Sequence, residues 1–443
     1  MEEKKGLKRY LTTYQLVLFG LAYMTPMIVF GTYGVLAKTT NGFVPTAYLV
    51  ALIAMLFTAT SYGKMVKAFP TAGSAYTYTR ESISPHLGFL VGWVVLLDYF
   101  FLPMVIWLIG SSFLHAAFPT LPIWLWILVF IILTTFINII GIQVTTNANF
   151  FLMVFQLLVL AIFIILSIIN LIQGVGAGTI FSITPFFNSD LNPLLVVAGA
   201  AIAGYSFLGF DAVTTLSEEA IDPKKNMPKA IFLITIIGGV LFIISAYFLD
   251  LVYPNFNQVP DTDTAAYEIA LQIGGNFLSA VFLAGLVVAQ FASGISAQTG
   301  ASRLLYAMGR DGVLPKKVFG FVSSSTNTPV FNLVMVGIIG TLAIAMDITT
   351  STSFINFGAF ITFTFVNITV IAHYFVYKKK RKGKNLISYL IVPLIGAGFT
   401  IGLFLNLDIH AKVLGSIWLA IGVLYLLILT KFFRVPPPKM EME

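Results

Sequence analysis

Asp98 and Asp211 each interrupt a long apolar stretch, VGWVVLLDYFFLPM (Val91 to Met104) and AGYSFLGFDAVTT (Ala203 to Thr215). An ionisable group inside an apolar span is costly, and in a bilayer it marks a functional site by default. A carboxylate in such a place forms a charge-assisted hydrogen bond with an ammonium, and the bond strengthens as water is excluded. Two carboxylates suit opposite ends of an extended ligand bearing two ammonium groups. Alternatively one holds the ligand while the other takes up and releases a proton. Structural roles compete with both. Asp211 is placed to cap a helix that restarts after a break, and Asp98 has the option of a hydrogen bond to a neighbouring span.

Other chemistries lack their residues. The chain has no cysteine, which removes disulfides, thiolate metal sites and cysteine nucleophiles. His86, His115, His373 and His410 are scattered near the ends of apolar runs without metal or relay spacing. No G-x-S-x-G, H-E-x-x-H or Walker loop occurs, and GVGAG (Gly174 to Gly178) follows no strand. Neither an enzyme nor a cofactor is expected.

The elements that carry the two carboxylates are membrane spans. Of 443 residues, 58% are hydrophobic and 10% charged, against about 25% charged in an ordinary soluble domain. Charge-free runs of about 20 residues, enough to cross the hydrocarbon core, recur from end to end. A soluble globule is excluded. The expectation is an all-α polytopic membrane protein of twelve spans, near 13–37, 43–66, 86–114, 122–140, 148–172, 192–216, 229–252, 275–305, 329–347, 352–376, 386–407 and 411–433. A channel would need a continuous polar pore, and a receptor would show an added soluble domain. Neither is visible.

The few charges orient the spans. With a cytoplasmic N-terminus, 23 of the 25 Lys and Arg fall on inner segments, including the run Lys378 to Lys384, and only Lys38 and Lys412 lie outside. The outer segments collect Asp190, Asp250, Asp261, Asp263, Glu268, Asp347 and Asp408. Both ends are therefore expected on the cytoplasmic side. The net charge of +7 follows from this bias and points to no nucleic acid. Met1 to Tyr10 is short and basic without a cleavage site, so the first span is read as retained. In the outer connection 253–274, Ala265 to Ile273 has helical spacing and is expected to form a surface helix.

Two spans are poor continuous helices. The first contains Thr25 and Pro26 followed by Gly31 and Gly34, and the sixth contains Gly204, Ser206, Gly209 and Asp211. Interrupted spans at corresponding places in two halves point to a transporter binding site, because unwound backbone exposes amides and carbonyls. Five is an odd number of crossings, so a second five-span unit enters from the opposite side. Spans 1–5 (13–172) and 6–10 (192–376) then form an inverted repeat, with two further spans (386–433) and cytoplasmic ends at 1–12 and 434–443. Most of the 36 glycines are expected only to serve helix packing.

Three stretches resemble the amino acid-polyamine-organocation permeases. GFDAVTTLSEEAIDPKKNMPKAI (Gly209 to Ile231) is similar to their sixth span and following loop, and SRLLYAMGRDGVLP (Ser302 to Pro315) to the loop after their eighth span. FPTAGSAYTYTRESISPHLGFLVGW (Phe69 to Trp93) resembles their second loop and third span. LAYMTPMIVFGTYG (Leu21 to Gly34), the segment around Asp98 and YSFLGFDAVTTLSEE (Tyr205 to Glu219) resemble the bacterial putrescine importers of that family.

The resemblance implies a five-plus-five inverted-repeat fold and proton-driven uptake of a small organic cation, held near the midplane by spans 1, 3, 6, 8 and 10. An amino-acid substrate is the alternative. The family's amino-acid permeases hold the substrate carboxylate on glycine-rich amides in the first span. Here Met27, Ile28 and Val29 stand there, and Pro26 has no amide hydrogen, which favours an amine. Implied contacts are Thr25, Pro26, Val29, Asp98, Tyr99, Tyr205, Ser206, Leu208, Gly209 and Ser293, with Tyr205 covering the ligand through cation–π attraction. Phe207, Phe210 and Ser296 are weaker candidates. Asp211 corresponds to a gating or coupling position. Some proton-driven relatives carry a lysine in the fifth span, and Asn149 to Leu171 contains none.

Overall fold

In the computed structural model, residues 9–71, 73–140, 145–217, 219–258, 261–310, 312–323 and 328–438 are described, with only the backbone of 145–151 and 307. The expected cytoplasmic segments therefore fall outside the described residues at 1–8 and 439–443. The helices are α1 (Thr13–Met24), α2 (Ile28–Thr40), α3 (Val44–Ala68), α4 (Ser74–Ser82), α5 (Pro85–Ala117), α6 (Ile123–Ile140), α7 (Thr145–Ile172) and α8 (Pro193–Ala203). They continue with α9 (Pro223–Val252), α10 (Ala265–Arg310), α11 (Lys316–Phe319), α12 (Val330–Gly340), α13 (Ile348–Val370), α14 (Lys384–Leu386), α15 (Val392–Leu405) and α16 (Ile409–Leu429).

Ten helices among the described residues are long and apolar enough to cross a membrane, and α1 with α2, bent by 47°, makes an eleventh. A shorter apolar helix, Val330–Ala345, stands where the ninth span is expected. Inside α10, Gly275 has φ 60° and ψ −159°, a conformation open mainly to glycine. That break separates the expected surface helix from the eighth span.

Polar side chains start the helices where the sequence supplies them. Thr12 accepts from the Gln15 amide while the Gln15 side chain accepts from Thr12, a reciprocal cap on α1. Asp347 accepts from the Thr350 amide at the start of α13, and Asp408 from His410 and Ala411 at the start of α16. Two of the acids assigned to the outer face are thus helix caps.

Burial separates central spans from peripheral ones. In α5, the Pro193–Leu216 span and Ile348–Tyr377, 72% of the most apolar window is buried, against 17% in α16. Ile417, Leu424 and Ile428 of α16, and Ile132 and Phe136 of α6, present large apolar side chains outward, as lipid contact requires. Spans five apart in order pack together: α3 lies on α9, and α5 on α10. The α3–α9 approach depends on Gly239, where a Cβ would come within 2.5 Å of Leu52 Cδ1, and on Gly63, where one would meet Pro228 at 3.0 Å.

Candidate functional site: two broken spans and a pair of buried carboxylates

In the first span the chain leaves the helix at Thr25 (φ 54°) and re-enters at Ile28. Pro26 has no N–H for the Ala22 carbonyl, and the Thr25 hydroxyl donates to Ala22 O (3.2 Å) and Tyr23 O (3.4 Å) in its place. Beyond the break, the amides of Ile28 and Phe30 already donate to Thr25 O and Met27 O at 2.8 and 3.1 Å.

The sixth span breaks differently. α8 tightens into a 3₁₀ turn over Gly204–Phe207, Leu208 is extended, Gly209 has φ 119°, and a second 3₁₀ turn runs over Ala212–Leu216. A Cβ on Gly209 would lie 2.5 Å from Tyr23 Cδ1 and 3.1 Å from Met24 N. The two breaks therefore touch, and only glycine has both the backbone freedom and the size for the contact.

A cavity of about 20 Å³, room for roughly one water, lies against these breaks. Thr25, Tyr205, Leu208 and Ser293 line it, as do Tyr23 and Gln290. A second cavity of similar size shares Tyr23 and Ser293 and reaches Gln156 of α7 and Ser296. Gln156 is the contribution of α7, the fifth span, to this second cavity.

Asp98 sits near the middle of α5, buried, with its Oδ1 lacking any hydrogen-bond partner among the described residues. Leu102, one turn on and on the same face, lines the first cavity. Pro103 has no N–H to give to the Tyr99 carbonyl, which leaves a backbone acceptor beside Asp98. Asp211 is also buried, and its carboxylate takes the Gly209 amide of its own turn at 3.4 Å. Asp211 stands at the N-cap position of Ala212–Leu216 without a side-chain bond to that turn, so it does not cap the restarting helix. The two carboxylates interact with each other, and Tyr23, Tyr62 and Tyr99 lie within Coulombic range of both. Tyr205 lies within range of Asp98. Among the described residues no Lys or Arg forms an ion pair with either.

Other expected contacts lie elsewhere. Ser206 belongs to a buried chain, Thr32 to Tyr48 to Ser206, with both links 3.0 Å long, joining α2, α3 and the sixth span. Phe207 packs on Phe242 at 5.4 Å, and Phe210 on Tyr62 and Phe363 at 5.7 and 5.2 Å. Pro26 and Val29 are buried at the first break but do not line the cavity.

Sequence reasoning missed Tyr23, Tyr62 and Gln290. Tyr23 carried a signal, standing two residues before the first break. Gln290, whose Nε2 is buried and unpartnered, sits one turn from the expected Ser293.

The fold and the site define a multi-span membrane permease with an anionic, aromatic centre. The amino acid permease family model matches residues 15–431, and the chain belongs to that family. It is 43% identical over 98% of its length to the low-affinity putrescine importer PlaP of Escherichia coli K12, covering 96% of that protein. It is 24% identical to the branched-chain amino acid permease BcaP of Bacillus subtilis over 96% of this chain and 94% of that one. A solved Na+-coupled sialic acid symporter, substrate-bound and outward-open, superposes with a TM-score of 0.55 at 13% identity over 91% of this chain and 90% of that one. At that identity the likeness shows the fold alone.

Proposed function

We propose that this protein imports putrescine or a close diamine relative across a bacterial cell membrane by alternating access, coupled to protons, with both ends in the cytoplasm. The observation that carries the reading is the pair of buried carboxylates without a cationic partner among the described residues, within Coulombic range of Tyr23, which lines the cavity at the two breaks. Buried charge demands compensation, and an ammonium supplies it. The similarity to a putrescine importer supports the same choice. Pro26 has no amide hydrogen to offer a substrate carboxylate, and the Ile28 amide already donates to Thr25 O. A diamine does not fit a space sized for one water, so the lining spans separate to admit it. Asp98 is the principal substrate ligand, and Asp211 serves gating or proton transfer. The amino-acid reading rests on the family as a whole.

Uptake of labelled putrescine into proteoliposomes, competed with cadaverine, spermidine, arginine and neutral amino acids, separates the two. Competition by cadaverine is expected. Strong inhibition by neutral amino acids with none by diamines overturns the proposal. Imposed pH and sodium gradients test coupling, and acceleration by an inward proton gradient alone is the expected result.

A further inference from the structure

A second cluster of unlike design stands at the basic end of the molecule. α13 runs on as a wide π-helical turn over Ile371–Tyr377, and a second such turn, Ile387–Ile391, opens the following span. They stack Tyr374 on Tyr389, with ring centroids 4.4 Å apart and planes 12° apart. Three lysines from two parts of the chain gather on this stack. Lys64 Nζ lies 5.8 Å from the Tyr389 centroid, Lys378 Nζ 5.4 Å from that of Tyr374, and Lys380 Nζ 5.5 and 5.7 Å from both.

Surface lysines ordinarily spread into water and apart from one another. Here the backbone holds them together. Lys64 donates to the Ser388 carbonyl, the Tyr374 hydroxyl donates to Lys64 O at 3.0 Å, and the Lys378 and Lys380 amides return to His373 O and Tyr374 O at 3.0 Å each. No carboxylate pairs with any of them among the described residues. Beside the charges, Val376, Tyr377, Ile387 and Ile391 are exposed by 40 to 64% on helices that face lipid. Concentrated cations bordering an apolar surface match a phosphate headgroup carrying acyl chains, and a free phosphate would have no use for the apolar border.

We infer that Lys64, Lys378 and Lys380, assembled on the Tyr374–Tyr389 stack, form a binding site for an anionic phospholipid. The test uses the full chain, purified and incubated with equal phosphatidylglycerol and phosphatidylcholine, and counts retained lipid by native mass spectrometry. Wild-type protein is expected to retain phosphatidylglycerol selectively, and millimolar inorganic phosphate is expected not to displace it. K378Q/K380Q should lose affinity by roughly fivefold for each lysine removed. K224Q/K225Q, which removes the same charge from exposed positions at the start of α9, should retain wild-type binding. Monodisperse elution of both variants excludes misfolding. Equal loss in both variants, or no headgroup selectivity in the wild type, overturns the site, and displacement by phosphate overturns the lipid as its ligand.

Discussion

A carboxylate taken out of water must be paired, hydrogen-bonded or neutralised by a proton, and the two in this protein are treated unequally. Asp211 has the Gly209 amide, whereas Asp98 keeps an oxygen with no partner. That orphaned oxygen is the better ligand for an incoming ammonium, since binding satisfies a group that is otherwise buried at a cost. Asp98→Asn is expected to abolish saturable diamine uptake while the protein elutes and unfolds as wild type does. Retained affinity in that variant would make Asp98 a structural residue.

At the scale of elements, function depends on the contact between the two breaks. Gly209→Ala must place a Cβ 2.5 Å from Tyr23 at φ 119°, where an L-residue alone costs about 1–2 kcal/mol. A lowered melting temperature and lost uptake are expected. Gly398→Ala in α15, where a Cβ meets nothing within 4 Å, should melt at or above the wild-type temperature. A wild-type melting point for Gly209→Ala would mean that the breaks do not pack as described. The loop before α10 carries a pH dependence of its own. Burial, and then the neighbouring charges of Asp261 and Asp347, push Asp263 up to about 6. The folded state thus holds this proton more tightly than the unfolded chain, so the contribution is complete below about pH 4 and is lost as pH rises through about 6. Melting temperature measured from pH 4 to 7 should fall less steeply in Asp263→Asn. An unchanged slope would remove Asp263 as the cause.

For the whole molecule, the basic residues set the orientation and the absence of cysteine makes it measurable. A single cysteine at Lys412 should react with an impermeant maleimide applied outside intact cells. One at Lys382 should react only after permeabilisation. The reverse pattern would invert the topology and place the lysine cluster on the outer leaflet.

Much of this architecture could be read along the chain because its determinants are local. Apolar run length, flanking charge and helix-breaking residues such as Pro26 and Gly209 act within a few positions of where they stand, so spans, breaks and the surface helix ending at Gly275 follow from them. The candidate site was readable only in part. A charge marks Asp98 and a helix break marks Thr25, the family resemblance implies Tyr205, but Tyr23, Tyr62 and Gln290 look like any other residue of an apolar helix. Ser206 shows the converse, a polar residue at a break that tertiary packing spends on Tyr48. Which face of a span meets the centre, and which polar atoms remain unpaired there, depends on neighbours distant in sequence. Periodicity cannot supply this in helices apolar on every side. Composition and position made the protein a multi-span membrane protein with two carboxylates inside apolar spans, and its motifs tied it to the permeases; packing brought the two carboxylates within Coulombic range and left an oxygen of Asp98 without a partner among the described residues.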